Sequence, residues 1–259
     1  MSNYWADRIA RAQNAISNKN QKAIEKQLAK YYSIAAEKAI RDFERVYNSI
    51  LLAMEEGREP TPADLYKLDK YWQAQGSLRQ LLRELGEKQI SLLTKQFEID
   101  FFEIYYSFAL EGSSAFSTID AAGAMQMINS IWVADGKTYS QRVWDNINRL
   151  QETLNEGLIH CVVTGKKTSE LKNVLQERFN ISYRRADTLV RTELAHIQIE
   201  ASKKRYEDYG IQFVEVLVSI DDRTCEDCAA LDGEVFPIHA APVLPLHPNE
   251  RCCLIPVVE

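Results

Sequence analysis

The alternation of apolar and polar residues in the first half of the chain predicts long amphipathic helices. Between Ile24 and Ile50, apolar residues recur at spacings of three and four, which places them on one face of a helix. Gly57, Pro60 and Pro62 follow. Because proline lacks an amide proton and clashes with the preceding turn, we predict that the first helix ends in this segment.

Two more helices are predicted before residue 110. One begins near Thr61, and Gly76 and Gly86 are expected to weaken or end it, because glycine is a poor helix former. The other begins near Glu87 and carries apolar residues at helical spacing as far as Phe108.

The second half begins with small and polar residues and then returns to helical spacing. Residues 112–137 have the composition of a hinge. A helix is predicted to follow a capping box at Thr138. Thr168 and Ser182 are each expected to cap a further helix, and Gly210 is expected to end the last of them.

The pattern changes after Gly210. The β-branched segment 213–220 predicts a strand, and Asp232-Gly233 before residues 234–236 indicates a hairpin. The rest of the tail is interpreted as turns. The predicted fold is mainly α with a small C-terminal β region (α+β).

We predict three parts along the chain. Residues 1–111 form an elongated helical N-terminal arm, and residues 112–137 form the hinge. Residues 138–259 form a C-terminal domain that ends in a strand and a Cys/His tail at 211–259.

The negative charge of the chain is concentrated in this tail. The 259 residues carry a net charge of −6, while residues 210–259 alone hold nine acidic and two basic residues. A simple basic protein that coats nucleic acid is therefore disfavoured.

The longest apolar run is far shorter than the roughly 20 residues of a membrane helix, and no secretory signal is seen.

Four tail residues have the spacing of a metal site. Cys225 and Cys228 form a Cys-x2-Cys pair, and His247 and Cys252 follow nineteen or more residues later. Zinc binds four nitrogen or sulfur ligands in a tetrahedron, and three cysteines with one histidine are a standard structural set. We predict a structural zinc site with no position left open for a catalytic water.

Other interpretations of the cysteines remain open. A dithiol redox pair is disfavoured because the acidic spacer Glu226-Asp227 raises the pKa of thiols. A disulfide needs an oxidising compartment, which the missing secretory signal disfavours. Unliganded cysteines are the third alternative. Cys253 is interpreted as a packing residue, although it could replace Cys252 as a ligand.

Several segments together resemble the phage minor head protein family, also called head morphogenesis or Mu F-like proteins. The similarity covers about residues 125–258, and its blocks occur in the family's order. One departure is that the family commonly has a cysteine where this chain has Glu250, while Cys252 is retained. The matching segments are 132–144, 185–193, 217–233 and 245–252.

The resemblance implies a structural protein of tailed-phage heads rather than an enzyme. Its expected partners are the portal protein and the capsid and scaffold proteins, with contact to packaged DNA and none to membranes. It implies a role in head assembly and in DNA packaging or ejection. The expected location is the virion, in the head interior or portal region, after assembly in the host cytoplasm.

Two other functions have some support in the sequence. An enzyme could use Arg191 and Glu193 as an acid/base pair or Asp221-Asp222 as metal ligands, but no nucleophile–base pair or phosphate loop appears. A zinc-stapled DNA-binding protein could use the basic clusters of the helices, although the acidic tail would repel phosphate. These clusters are Lys166-Lys167, Arg184-Arg185 and Lys203-Lys204-Arg205.

Overall fold

Helices dominate the structure of this chain. The computed structural model describes residues 2–53, 61–108, 119–220, 222, 224–250 and 252–257, and only the backbone of residues 2–10. It is 75% helical, with a three-stranded antiparallel sheet near the C-terminal end. The prediction of a mainly α chain with a small C-terminal β region is confirmed. Across these ranges, no helix has a segment apolar enough to cross a lipid bilayer.

Seven α-helices, three strands and one short 3-10 helix (Ile238–Ala240) are found among the described residues. The helices are α1 (Ser2–Ala53), α2 (Pro62–Tyr66), α3 (Asp69–Ser107), α4 (Ala121–Ile128), α5 (Tyr139–Val163), α6 (Thr168–Asp208) and α7 (Glu226–Leu231). The strands are β1 (Phe213–Val218), β2 (Val235–Pro237) and β3 (Cys252–Pro256).

The first helix buries the predicted apolar stripe. Ile24, Leu28 and Phe43 are fully buried, as expected for one face of an amphipathic helix. The predicted stop signals Gly57 and Pro60 lie outside the described residues. A second helix begins after Thr61 as predicted, but α2 is only five residues long.

The expectation that Gly76 or Gly86 ends the next helix was wrong, whereas their weakening of the helix stays a prediction. Helix α3 runs without a break through Gly76 and Gly86 and includes the segment predicted as a separate third helix. A Cβ atom on Gly86 would lie 2.6 Å from the ring of Trp144, whereas no atom lies within 4 Å of a Cβ on Gly76. Close packing against the α5 tryptophan, not a helix end, therefore explains Gly86.

This difference between the two glycines predicts opposite effects of alanine. Gly76→Ala should raise the free energy of unfolding by up to about 1 kcal/mol, because alanine is the better helix former. Gly86→Ala should lower the free energy of unfolding by about 1–2 kcal/mol. The cost of displacing the Trp144 ring should exceed the gain from the higher helix propensity of alanine. Urea denaturation of both variants checks this. Equal stabilisation by both substitutions would contradict the packing explanation.

The predicted helix boundary at Ser182 was also wrong. Helix α6 continues from Thr168 through Ser182, which is buried at 2% exposure. The Asn146 amide donates a hydrogen bond of 2.9 Å to the Ser182 carbonyl. A serine whose local sequence predicts a helix cap is thus held inside the helix by tertiary packing.

The predicted end of this helix at Gly210 is confirmed. Gly210 has a φ of 73°, and its amide lies 2.9 Å from the Glu207 carbonyl.

The predicted hinge contains a helix that the sequence did not predict. Helix α4 begins after Asp120, whose carboxylate accepts the Gly123 amide at 2.7 Å. Residues 112–118 of the hinge lie outside the described residues. The division at 1–111, 112–137 and 138–259 stays a prediction.

The contacts within the chain define two compact units. One comprises Met1–Glu25, Leu92–Tyr139 and Thr188–Glu259, and the other comprises Lys26–Ser91 and Ser140–Asp187. Each unit therefore draws on separate segments of the sequence.

The sheet has the order β2-β1-β3, with both outer strands antiparallel to β1. Strand β1 was predicted. Strand β2 follows Asp232-Gly233 and pairs with β1. The prediction of a hairpin on this turn was wrong, because helix α7 and not a strand precedes Asp232. Neither α7 nor β3 was predicted. The sheet packs on α6 through Tyr206, whose hydroxyl donates to the Leu254 carbonyl at 3.1 Å.

Candidate metal centre

The Cys-x2-Cys pair is placed by the start of α7. Cys225 is the N-cap of this helix, and its sulfur accepts the Cys228 amide at 3.3 Å. Because an N-cap side chain points back over the first turn, a cysteine three residues later brings the second thiol beside the first. Cys225 is half-buried, and Cys228 is buried at 3% exposure.

His247 completes a group of three donors. Its Nε2 lies 3.2 Å from the sulfur of Cys225 and 3.2 Å from the sulfur of Cys228. Its Nδ1 lies 3.1 Å from the Pro248 carbonyl, which accepts a hydrogen bond from the Nδ1 proton. This contact leaves the Nε2 lone pair directed at the sulfurs, the tautomer that ligates metals.

A second group shares Cys228 with the first. Cys228, Glu250 and Cys252 have donor atoms within 4.8 Å of one another, as do Cys225, Cys228 and His247. In a zinc tetrahedron, sulfur and nitrogen ligands lie about 3.5 to 3.8 Å apart. The structure therefore distributes the four predicted ligands over two groups of three donors that share Cys228.

The two adjacent cysteines of β3 face opposite sides of the sheet. Cys252 pairs with Val218 and belongs to the core that contains Cys228. Cys253 pairs with Leu217 and packs with Ile255 in a separate small cluster. This alternation follows from the period of two residues in a strand. The structure thus places Cys252, and not Cys253, beside the other donors.

Glu250 is a member of the site that sequence reasoning missed as a donor. Its side chain is buried at 6% exposure, and its Oε2 accepts the amides of Leu246 and, at 3.4 Å, His247. Its Oε1 has no hydrogen-bond partner among the described residues. The departure from the family pattern at this position was the only sequence signal that could have identified it.

The thiols and the imidazole have shifted pKa values. The Cys228 amide lowers the pKa of Cys225, while burial raises that of Cys228 to about 12 and raises that of Cys252. The Pro248 carbonyl raises the pKa of His247. Burial thus favours protons, or a cation in their place, on the inner donors. Beside them is a cavity of about 200 Å³ that Thr224 and Asn249 also line.

A second network connects the family-like segments to the loop before His247. Trp132 donates from Nε1 to the Glu193 carboxylate at 3.0 Å and stacks on His196, with ring centroids 4.1 Å apart. His196 Nδ1 lies 2.9 Å from the Leu244 carbonyl. Glu193 and His196 are both buried. These residues therefore position the loop that carries His247.

The residues of the enzymatic alternative contact other parts of the protein. Arg191 pairs with Glu25 at 2.9 Å, whereas Glu193 binds Trp132. Asp221 lies outside the described residues, and Asp222 is exposed and belongs to neither donor group.

Two residues of the strongest basic cluster are likewise engaged within the protein. Lys204 pairs with Asp208. Arg205 is buried, and its guanidinium lies 4.3 Å from the Tyr209 ring centroid and 4.9 Å from that of Tyr105. These contacts do not favour DNA binding by this cluster.

Comparison with known proteins finds a family match for the part of the chain that contains this centre. Neither a curated protein nor a solved structure matches the chain. Residues 152–255 match the family described as "Phage Mu protein F like protein", which agrees with the resemblance of the sequence motifs. The part of the chain that contains the metal centre is therefore similar to the phage Mu protein F-like family.

Proposed function

We propose that this chain is a structural minor head protein of a tailed phage or prophage. The single observation that carries the proposal is the family match of residues 152–255, the segment that contains all the predicted metal ligands. The protein would associate with the portal and the assembling capsid and act in head assembly and in DNA packaging or ejection. A structural role also accords with the contacts of Arg191 with Glu25 and of Glu193 with Trp132.

Zinc is proposed as the structural staple of the tail. Cys225, Cys228 and His247 supply three donors, and the group of Cys228, Glu250 and Cys252 supplies a fourth; the sequence predicts Cys252 for that place. When bound, zinc would crosslink these donors and contribute folding free energy. The protein's own residues hold the donors: α7 fixes the two cysteines, and Pro248 fixes the histidine tautomer.

The staple is needed because the tail has little regular structure of its own. Strand β2 has three residues and β3 has five, and the loop between them is rich in proline. Ordering this loop costs conformational entropy, and a bound metal would offset part of that cost. A stapled tail would give the portal or capsid a rigid surface.

Association with heads tests this function. In cells producing the phage, the tagged chain is expected to co-sediment with procapsids and mature heads and to co-purify with portal protein. Particles from a portal-deletion phage are the control and should contain much less of the chain. A chain that is missing from both procapsids and mature heads would contradict the proposal.

A further inference from the structure

Glu250 is held in the metal centre by its own backbone surroundings. One carboxylate oxygen accepts the amides of Leu246 and His247, so the side chain is fixed to the loop that carries the histidine ligand. At 6% exposure, it is one of four buried Asp, Glu, Lys or Arg side chains among the described residues. Its position is therefore set together with that of His247.

The other oxygen lacks the partner that burial requires. Oε1 of Glu250 has no hydrogen-bond partner, and no lysine or arginine pairs with it, among the described residues. Leaving a buried carboxylate oxygen without a donor or cation is costly. One carboxylate oxygen of Glu250 lies within 4.8 Å of the sulfurs of Cys228 and Cys252. A metal ion at the shared centre would supply the missing positive charge.

Cys252 has no comparable need for a cation. Its thiol belongs to the apolar core formed with Val218 and Leu254, and a buried thiol packs there as a small hydrophobic group. Three thiolates together with the Glu250 carboxylate would place four negative charges around a divalent ion. Two thiolates with the carboxylate place three, which the ion neutralises more fully.

We propose that Glu250 is the fourth ligand of the metal, beside Cys225, Cys228 and His247. The donor set is then two sulfurs, one nitrogen and one oxygen, and Cys252 packs behind the site as a thiol. This inference rests on the zinc centre of the proposed function. It assigns to a carboxylate the place that the sequence predicts for Cys252.

X-ray absorption at the zinc edge of the purified full-length chain tests the donor set directly. The expected result is two sulfur and two nitrogen or oxygen neighbours around each zinc ion. Three sulfurs with one nitrogen would overturn the assignment to Glu250 while leaving the zinc centre intact. A chain that binds no zinc would overturn both the zinc centre and this inference.

A matched pair of variants gives an independent measurement. Glu250→Gln keeps an oxygen to accept the Leu246 and His247 amides but places an amide group where the ligand oxygen was. It is expected to weaken zinc affinity, measured by competition with a chromogenic chelator, by more than about 100-fold, the upper range for a residue that only supports a ligand. Cys252→Ala is expected to change it far less. The reverse order of effects would overturn the proposal.

Discussion

Replacing Cys228 with serine is expected to abolish zinc binding and to leave the tail from Phe213 onward without stable order. Cys228 belongs to both donor groups and to the core of the sheet, so no alternative ligand arrangement avoids it. Structural zinc contributes about 10–16 kcal/mol of apparent binding free energy in small zinc domains, and losing one ligand removes much of it. Zinc content and hydrogen exchange of the tail amides are the measurements.

Cys253→Ser is the matched control for this substitution. Cys253 is also a buried cysteine of the tail, but it lies on the opposite face of β3 from the donors. The Cys253→Ser chain should retain its zinc and the protection of its tail amides from hydrogen exchange. The helices should keep their circular dichroism in both variants. A Cys228→Ser chain with full zinc content and a protected tail would show that the cluster is not the zinc site.

Asp100→Asn is expected to stabilise the protein at neutral and alkaline pH. Asp100 on α3 is fully buried and accepts the Asn20 amide at 2.8 Å, but its Oδ2 has no hydrogen-bond partner among the described residues. Burial, together with the nearby Glu103 carboxylate, raises the pKa of Asp100 to about 6. Asparagine has the same shape, keeps an acceptor for Asn20 and carries no charge to bury.

The sign of the pH dependence follows from the direction of the pKa shift. Because the folded-state pKa of Asp100 exceeds the unfolded value near 4, its contribution to stability is full below about pH 4 and is lost as pH rises through 6. At pH 8 the free energy of unfolding of the wild-type chain should therefore be about 2–3 kcal/mol lower than that of the asparagine variant. Denaturant unfolding at pH 5 and pH 8 should show a gain that grows with pH.

An exposed carboxylate on the same helix is the control for Asp100. Glu87 is exposed and pairs with Arg83 at 3.1 Å, a surface contact worth at most about 1 kcal/mol. Glu87→Gln should change the free energy of unfolding little and equally at both pH values. A pH-independent effect of Asp100→Asn would contradict the assigned burial cost.

Periodicity predicted the helices well, and local signals failed where tertiary packing overrode them. The stripe from Ile24 to Ile50 is helical in α1 because burial of one face decides it. Gly86 and Ser182 looked like interruptions because glycine and serine disfavour helix interiors locally. The first is required by Trp144 and the second is buried, and neither fact is visible in the neighbouring sequence.

The sequence predicted the donors that form a recognisable spacing pattern. It did not predict the donor whose role depends on burial. The Cys225–Cys228 spacing and the later His247 identified the cluster. Glu250 was not recognised as a donor, because a loop glutamate is ordinarily solvated and its burial is seen only in the structure. Strand β3 was missed because its partner β1 lies more than thirty residues earlier, so no local turn signals the pairing.

The contacts of Trp132 have an evolutionary consequence. Trp132 lies before α5, Glu193 and His196 lie within one turn of α6, and Leu244 lies in the loop before His247. One buried turn of helix thus joins segments more than a hundred residues apart in the sequence. We expect these positions to change together among related proteins, so that a homologue without a tryptophan at the first position also differs at Glu193 or His196.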